Sequence, residues 1–161
     1  MGWDAAMFGT LKMPPASFKE WLGRKVDSTQ LPEIAKHLST LEVKGPTVKK
    51  TLAELGKFKD EITFIEVDSD PKKGLIEVRS FLSDDEYLDQ CAGLAAAWAA
   101  AGKDATGELY FTGMLTADFC YRLTMGPKGV ALKKLKDGAA DKLPLFKKIE
   151  ARVEGSVDDL D

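Results

Sequence analysis

Residues 91–102 read CAGLAAAWAAAG, with seven alanines in twelve positions. What this stretch packs against decides the fold. Upstream, Ser83-Asp84-Asp85-Glu86 has the form of a capping box: the Ser83 hydroxyl and the Glu86 carboxylate each satisfy an open backbone N–H, and the acids suit the positive end of a helix dipole. Downstream, Gly102 is placed to stop the helix. A helix over 84–101 is about 27 Å long at 1.5 Å per residue. Its first turns carry Asp84, Asp85, Glu86 and Asp89, which leaves about a dozen apolar residues, too few to span a bilayer. Tyr87, Cys91, Leu94 and Trp98 share one face, and alanine fills most of the remainder. A helix apolar almost all round is buried on more than one side, and methyl side chains let a neighbouring backbone come close. The segment reads as a central helix laid on a sheet and covered by further helices.

Strand patterns flank it. ITFIEV (62–67) and GLIEVRSFL (74–82) enclose the turn-rich DSDPKKG, and Thr63, Ile65 and Val67 alternate with Phe64 and Glu66, as in a half-buried hairpin. After the helix come GELYFTGML (107–115), DFCYRLTM (118–125), the turn GPKG and VALKKL (130–135), an antiparallel meander. AAMFGTLKM (5–13) reads as a strand ended by Pro14-Pro15. Short helices are expected in ASFKEWLG, LPEIAKHL (31–38) and TVKKTLAELGKF (47–58), and a C-terminal helix in LPLFKKIEARVEG (143–155). The expected fold is α+β: an antiparallel sheet of about five strands, made of the hairpin and the meander joined by the alanine-rich helix, with N- and C-terminal helices added. No Ser/Gly/Pro-rich linker divides the chain, so residues 1–155 read as one domain followed by a short acidic tail, 156–161. The hairpins echo each other as DPKKGLIEV and GPKGVALKK, which ordinary turn chemistry explains without a duplication.

The net charge of −3 is unevenly spread. Residues 1–60 carry 10 Lys+Arg against 7 Asp+Glu, residues 61–110 carry 4 against 11, and residues 111–161 carry 9 against 8. An acidic middle third repels phosphate and attracts cations, so a basic protein partner is expected rather than nucleic acid. The N-terminus lacks a basic stretch leading into an apolar run, so a cytoplasmic location is expected. Cys91 and Cys120 lie in apolar patterns and read as buried thiols.

Motifs for chemistry are lacking. One histidine, His37, and two distant cysteines do not make a zinc site or a nucleophilic triad. Asp68-Ser69-Asp70-Pro71 opens like a calcium loop and then lacks its glycine and terminal glutamate, so these acids read as turn formers. GPTVKK and GPKG lack the spaced glycines of a phosphate-binding loop. No catalytic residue, cofactor or metal is expected.

Two candidate sites follow. If Ile65, Val67, Ile76 and Val78 point inward, then Phe64, Glu66, Glu77, Arg79 and Phe81 point outward together, a binding-surface mixture unless the N-terminal helices cover it. With Asp84, Asp85 and Asp89 they form the expected partner-binding set. In size and charge the chain resembles the small α+β immunity proteins of bacterial toxin systems; the likeness implies an inhibitor of a basic, toxin-like partner, and no sequence motif carries it. The alternative is a small-molecule-binding domain, with or without enzymatic activity, whose pocket lies between the central helix and the sheet, lined by Tyr87, Trp98, Tyr110, Tyr121 and Arg122, with a cavity of at least roughly 300 Å³ as its signature.

Overall fold

The structure is a computed structural model, which describes residues 5–30, 44–57, 63–82, 86–113, 120–136 and 138–160, without the side chains of 30, 86–91 and 155–160. The described chain is α+β, with a six-stranded antiparallel-paired sheet, a small two-stranded ribbon and four helices. In chain order the main elements are β1 (Ala5–Lys12), α1 (Pro15–Gly23), β2 (Lys25–Asp27), β3 (Lys44–Thr47), α2 (Val48–Gly56), β4 (Phe64–Asp70), β5 (Leu75–Leu82), α3 (Glu86–Ala99), β6 (Thr106–Gly113), β7 (Cys120–Gly126), β8 (Gly129–Lys134) and α4 (Pro144–Leu160).

The hairpin β4–β5 and the meander β6–β7–β8 form as their alternation predicts. Their relation differs from the five-strand expectation. The order across the sheet is β4-β5-β1-β6-β7-β8, so the first strand enters between hairpin and meander and becomes central. Both β5 and β6 run antiparallel to β1, hence parallel to each other, and α3 is the crossover between them. Ala5, Ala6, Met7 and Phe8 are all buried, the continuous apolar run of a strand covered on both faces. The hairpin loops differ: four residues separate the paired Asp70 and Leu75, and two separate Gly126 and Gly129. The sequence echo between them is therefore not a shared turn geometry.

Helix α3 is the buried spine. Residues 92–98 are all buried, and Trp98 is fully so. Trp21 of α1 meets Trp98 edge-on, with ring centroids 6.1 Å apart, and its indole N–H donates to the Ala97 carbonyl at 2.8 Å. At the end of α3, Gly102 turns with φ +78° and the Arg24 guanidinium donates to the carbonyls of Ala100 and Ala101 at 2.9 and 2.8 Å, so a cation sits at the negative end of the dipole. No helix of the described residues is long and apolar enough to cross a membrane. The capping-box residues 83–85 and the expected helix at 31–38, with His37, lie outside the described residues.

One core joins α1, α2 and α3 to the sheet face bearing Met7, Leu11, Ile65, Val78, Leu109 and Leu123. The opposite face carries a smaller core under α4, in which Phe146, Ile149 and Val153 cover Ala6, Phe64, Phe81 and Cys120. Helix α4 continues to Leu160, through most of the stretch read as a tail. It covers only the first rows of its face; Thr10, Lys12 and Asp68 in the rows beyond are exposed.

Candidate functional site

Period-two alternation puts Phe64, Glu66, Asp68 and Asp70 of β4 on the same face as Glu77, Arg79 and Phe81 of β5, as the register confirms. Glu66 pairs directly with Arg79, but Asp68 stands opposite Glu77, a like-charge pair that disfavours the sheet unless neutralised. Arg79 neutralises it. Its Nη2 lies 2.6 Å from Asp68 Oδ2 and 3.2 Å from Glu66 Oε2, and its Nη1 contacts Glu77 Oε2. Arg152 of α4 pairs with the other oxygen of Glu66 and lies over the Phe64 ring, 3.8 Å from its centroid.

The outward set therefore shares one face, but its two aromatics are not exposed. Phe64 and Phe81 retain 4% and 2% of their accessibility because the apolar stripe of the C-terminal helix, not an N-terminal helix, lies over them. What faces solvent is the charged part: the side chains of Glu66, Glu77 and Asp68 are 35%, 32% and 67% exposed. Asp84 and Asp85 lie outside the described residues, and Asp89 sits on α3 with its side chain undescribed.

Asp68 and Arg152 were not among the expected site residues. Asp70 behaves as a turn former, accepting from the Lys73 N–H at 3.3 Å, whereas Asp68 belongs to the strand. Continuing the alternation of Phe64 and Glu66 by one step would have placed Asp68 on the charged face.

Beside this face, α1, α2 and the outer strand β4 enclose a solvent-reached groove of about 720 Å³. Phe18, Leu22, Leu52 and Ile65 supply apolar wall, while Lys49, Glu66, Asp68 and Arg79 supply the charged rim.

The residues expected to line one pocket do not meet. Tyr121 pairs with Phe111 and joins the α3 side with Trp98, whereas Tyr110 pairs with Arg122 and belongs to the α4 side. The sheet separates the two sets; Tyr87 is in α3, its side chain undescribed. On the α4 side Tyr110 stacks on Phe8 at 5.2 Å, and its hydroxyl donates to Glu108 Oε2 at 2.9 Å. Burial raises the Tyr110 pKa above 10.0, the Glu108 carboxylate adds to the rise, and Arg122 opposes it. The Arg122 Nε is buried without a hydrogen-bond partner among the described residues.

Comparison with known proteins finds no matching family model, no similar curated protein and no similar solved structure. Among the described residues no group of three or more His, Cys, Asp or Glu is placed to hold a metal ion. The carboxylates of the hairpin instead converge on a guanidinium.

Proposed function

We propose that this chain is a protein-binding module that takes a basic partner on the charged face of the β4–β5 hairpin, acting as an inhibitor or immunity-type protein of a bacterial cytoplasm. The observation that supports the reading is the surplus of carboxylate there: Glu66, Asp68 and Glu77 converge on Arg79, and among the described residues the one other guanidinium paired with them is Arg152, on Glu66. Each carboxylate offers about four lone-pair sites, so oxygens of Asp68 and Glu77 remain for a further cation. The exposed Asp68 is the first that an incoming lysine or arginine reaches. Complementary charge of this kind speeds encounter and selects against acidic partners, and it disfavours phosphate backbones.

The groove favours a second reading, a small-molecule site. Its volume of about 720 Å³ lies within the range of ligand pockets, roughly 300–1,000 Å³. It lies between α1, α2 and β4 rather than beneath α3, and a strand edge forms one whole side of it.

The test is affinity capture from the native host with the wild type and an Asp68→Lys/Glu77→Lys variant side by side, read by mass spectrometry. The proposal expects a basic protein held by the wild type at low salt, released at high salt and absent from the variant. Equal retention by both baits removes the acidic face from recognition.

A further inference from the structure

Strand β4 is the outermost strand of the six-stranded sheet, and among the described residues nothing pairs with its free edge. Its pairing with β5 runs from Phe64 to Asp70 without a register shift, so no bulge turns the edge away. Pro71, a residue that would block pairing, lies just past the strand. In an antiparallel pair every second residue directs its N–H and C=O away from the partner strand, so half of the backbone groups of β4 face outward. The groove follows this edge: residues 65 to 69 line it in succession, a span of roughly 13 Å at 3.3 Å per residue.

The two sides of the edge differ in chemistry. Towards the helices stand Ile65, Val67, Phe18, Leu22 and Leu52, with Lys49 on the α2 side of the rim disfavouring a cation there. On the opposite face stand the carboxylates of Glu66, held by Arg79 and Arg152, and of Asp68, held by Arg79 and 67% exposed. A chain lying along β4 would send alternate side chains into these two environments, with each cross-strand Cβ pair about 5 Å apart.

We infer that the β4 edge accepts an extended peptide segment as a seventh strand, with apolar side chains entering the groove between α1 and α2 and basic side chains facing Glu66 and Asp68. The inference rests on the basic-partner reading and adds the mode of binding. Main-chain hydrogen bonds to β4 supply affinity, and the apolar-basic alternation supplies selectivity.

The test uses the full chain and fluorescently labelled, end-capped octapeptides, read by anisotropy. One alternates valine and lysine, a second has the same composition in two blocks, a third alternates valine and serine, and two more are N-methylated on one or the other alternate set of the first. Binding is expected for the alternating valine-lysine peptide, with a loss of about tenfold or more, that is 1.4 kcal/mol, for the block peptide and for one of the methylated pair. Ala53→Trp, which fills the groove from an exposed helix position, is expected to weaken binding similarly without lowering the melting temperature. Failure of every peptide to bind, or equal binding of the block and both methylated forms, overturns the inference. If Asp68→Lys abolishes binding while neither methylation matters, strand addition falls and the basic-partner reading stands. If the valine-serine peptide binds as tightly as valine-lysine while one methylation abolishes binding, strand addition stands and the basic-partner reading falls.

Discussion

Replacing Arg79 by methionine separates stability from recognition, because the two should move in opposite directions. Methionine keeps an apolar stem of similar length, so the loss isolates the guanidinium. Three carboxylates lose their shared cation: Glu66 at 3.2 Å, Asp68 at 2.6 Å and Glu77. Exposed ion pairs contribute about 0.2–1 kcal/mol each. The Arg79 side chain is 18% exposed, but Asp68 is 67% exposed and its pair is discounted accordingly. The removed attractions, together with the unmasked repulsion between Asp68 and Glu77, come to about 2 kcal/mol at low salt. For a chain of this size each kcal/mol shifts the melting temperature by about 2–4 °C, so a fall of about 4–8 °C is expected. In 1 M salt, with a Debye length of about 3 Å, the difference should shrink, chiefly through the exposed Asp68 pair, and persist in part because contacts to the largely buried Arg79 are screened less. The same substitution frees Asp68 and Glu77 and leaves Glu66 to Arg152 alone, so association with a cationic peptide should quicken in stopped-flow measurements. An unchanged melting temperature at low salt would refute the ion-pair network. A slower association would mean that Arg79 itself, rather than the carboxylates, meets the partner.

The core and turns give further expectations. Trp98→Ala removes a fully buried ring and should cost about 3–5 kcal/mol in urea denaturation; a cost under about 1 kcal/mol would mean that α3 is not the spine. Gly74 has φ +66°, and a Cβ there would lie 1.8 Å from the Met13 carbonyl oxygen. Gly74→Ala should therefore destabilise by about 1–3 kcal/mol, measured by thermal denaturation against Gly126→Ala, where a Cβ meets nothing within 4 Å. Tyr110 titrates above its ordinary value in the folded state. The neutral phenol thus contributes stability that is complete below pH about 10 and lost as pH rises through the folded pKa. Phenolate absorbance should show a late-ionising tyrosine that Tyr110→Phe abolishes, with a smaller alkaline loss of stability in that variant.

Local patterns made much of this fold legible. The hairpin and meander follow from alternation, and the burial of α3 follows from alanine and tryptophan on every side. The central place of β1 does not, because its partners at 75–82 and 106–113 are far along the chain. Its run Ala5-Ala6-Met7-Phe8, apolar without alternation, was the available sign that both faces would be covered. Parity correctly grouped Glu66, Glu77 and Arg79. The same rule defeats the pocket, since Tyr121 and Arg122 are adjacent on one strand and must face opposite ways. The stripe Leu145, Ile149 and Val153 announced a helix with a face to bury, but only the packing reveals that Phe64 and Phe81 lie under it. The groove arises from the gap that α1 and α2 leave beside β4, which no local pattern encodes.

The most direct test of the recognition surface is to titrate the isotopically labelled full chain with the alternating valine-lysine peptide and follow every backbone amide by NMR. The largest shifts are expected on Ile65 to Ser69, with smaller ones at Glu77 and Arg79, while β8 at the far edge of the sheet stays unmoved. Shifts centred on Lys133 and Lys134 of β8, or spread evenly over the molecule, would contradict that expectation.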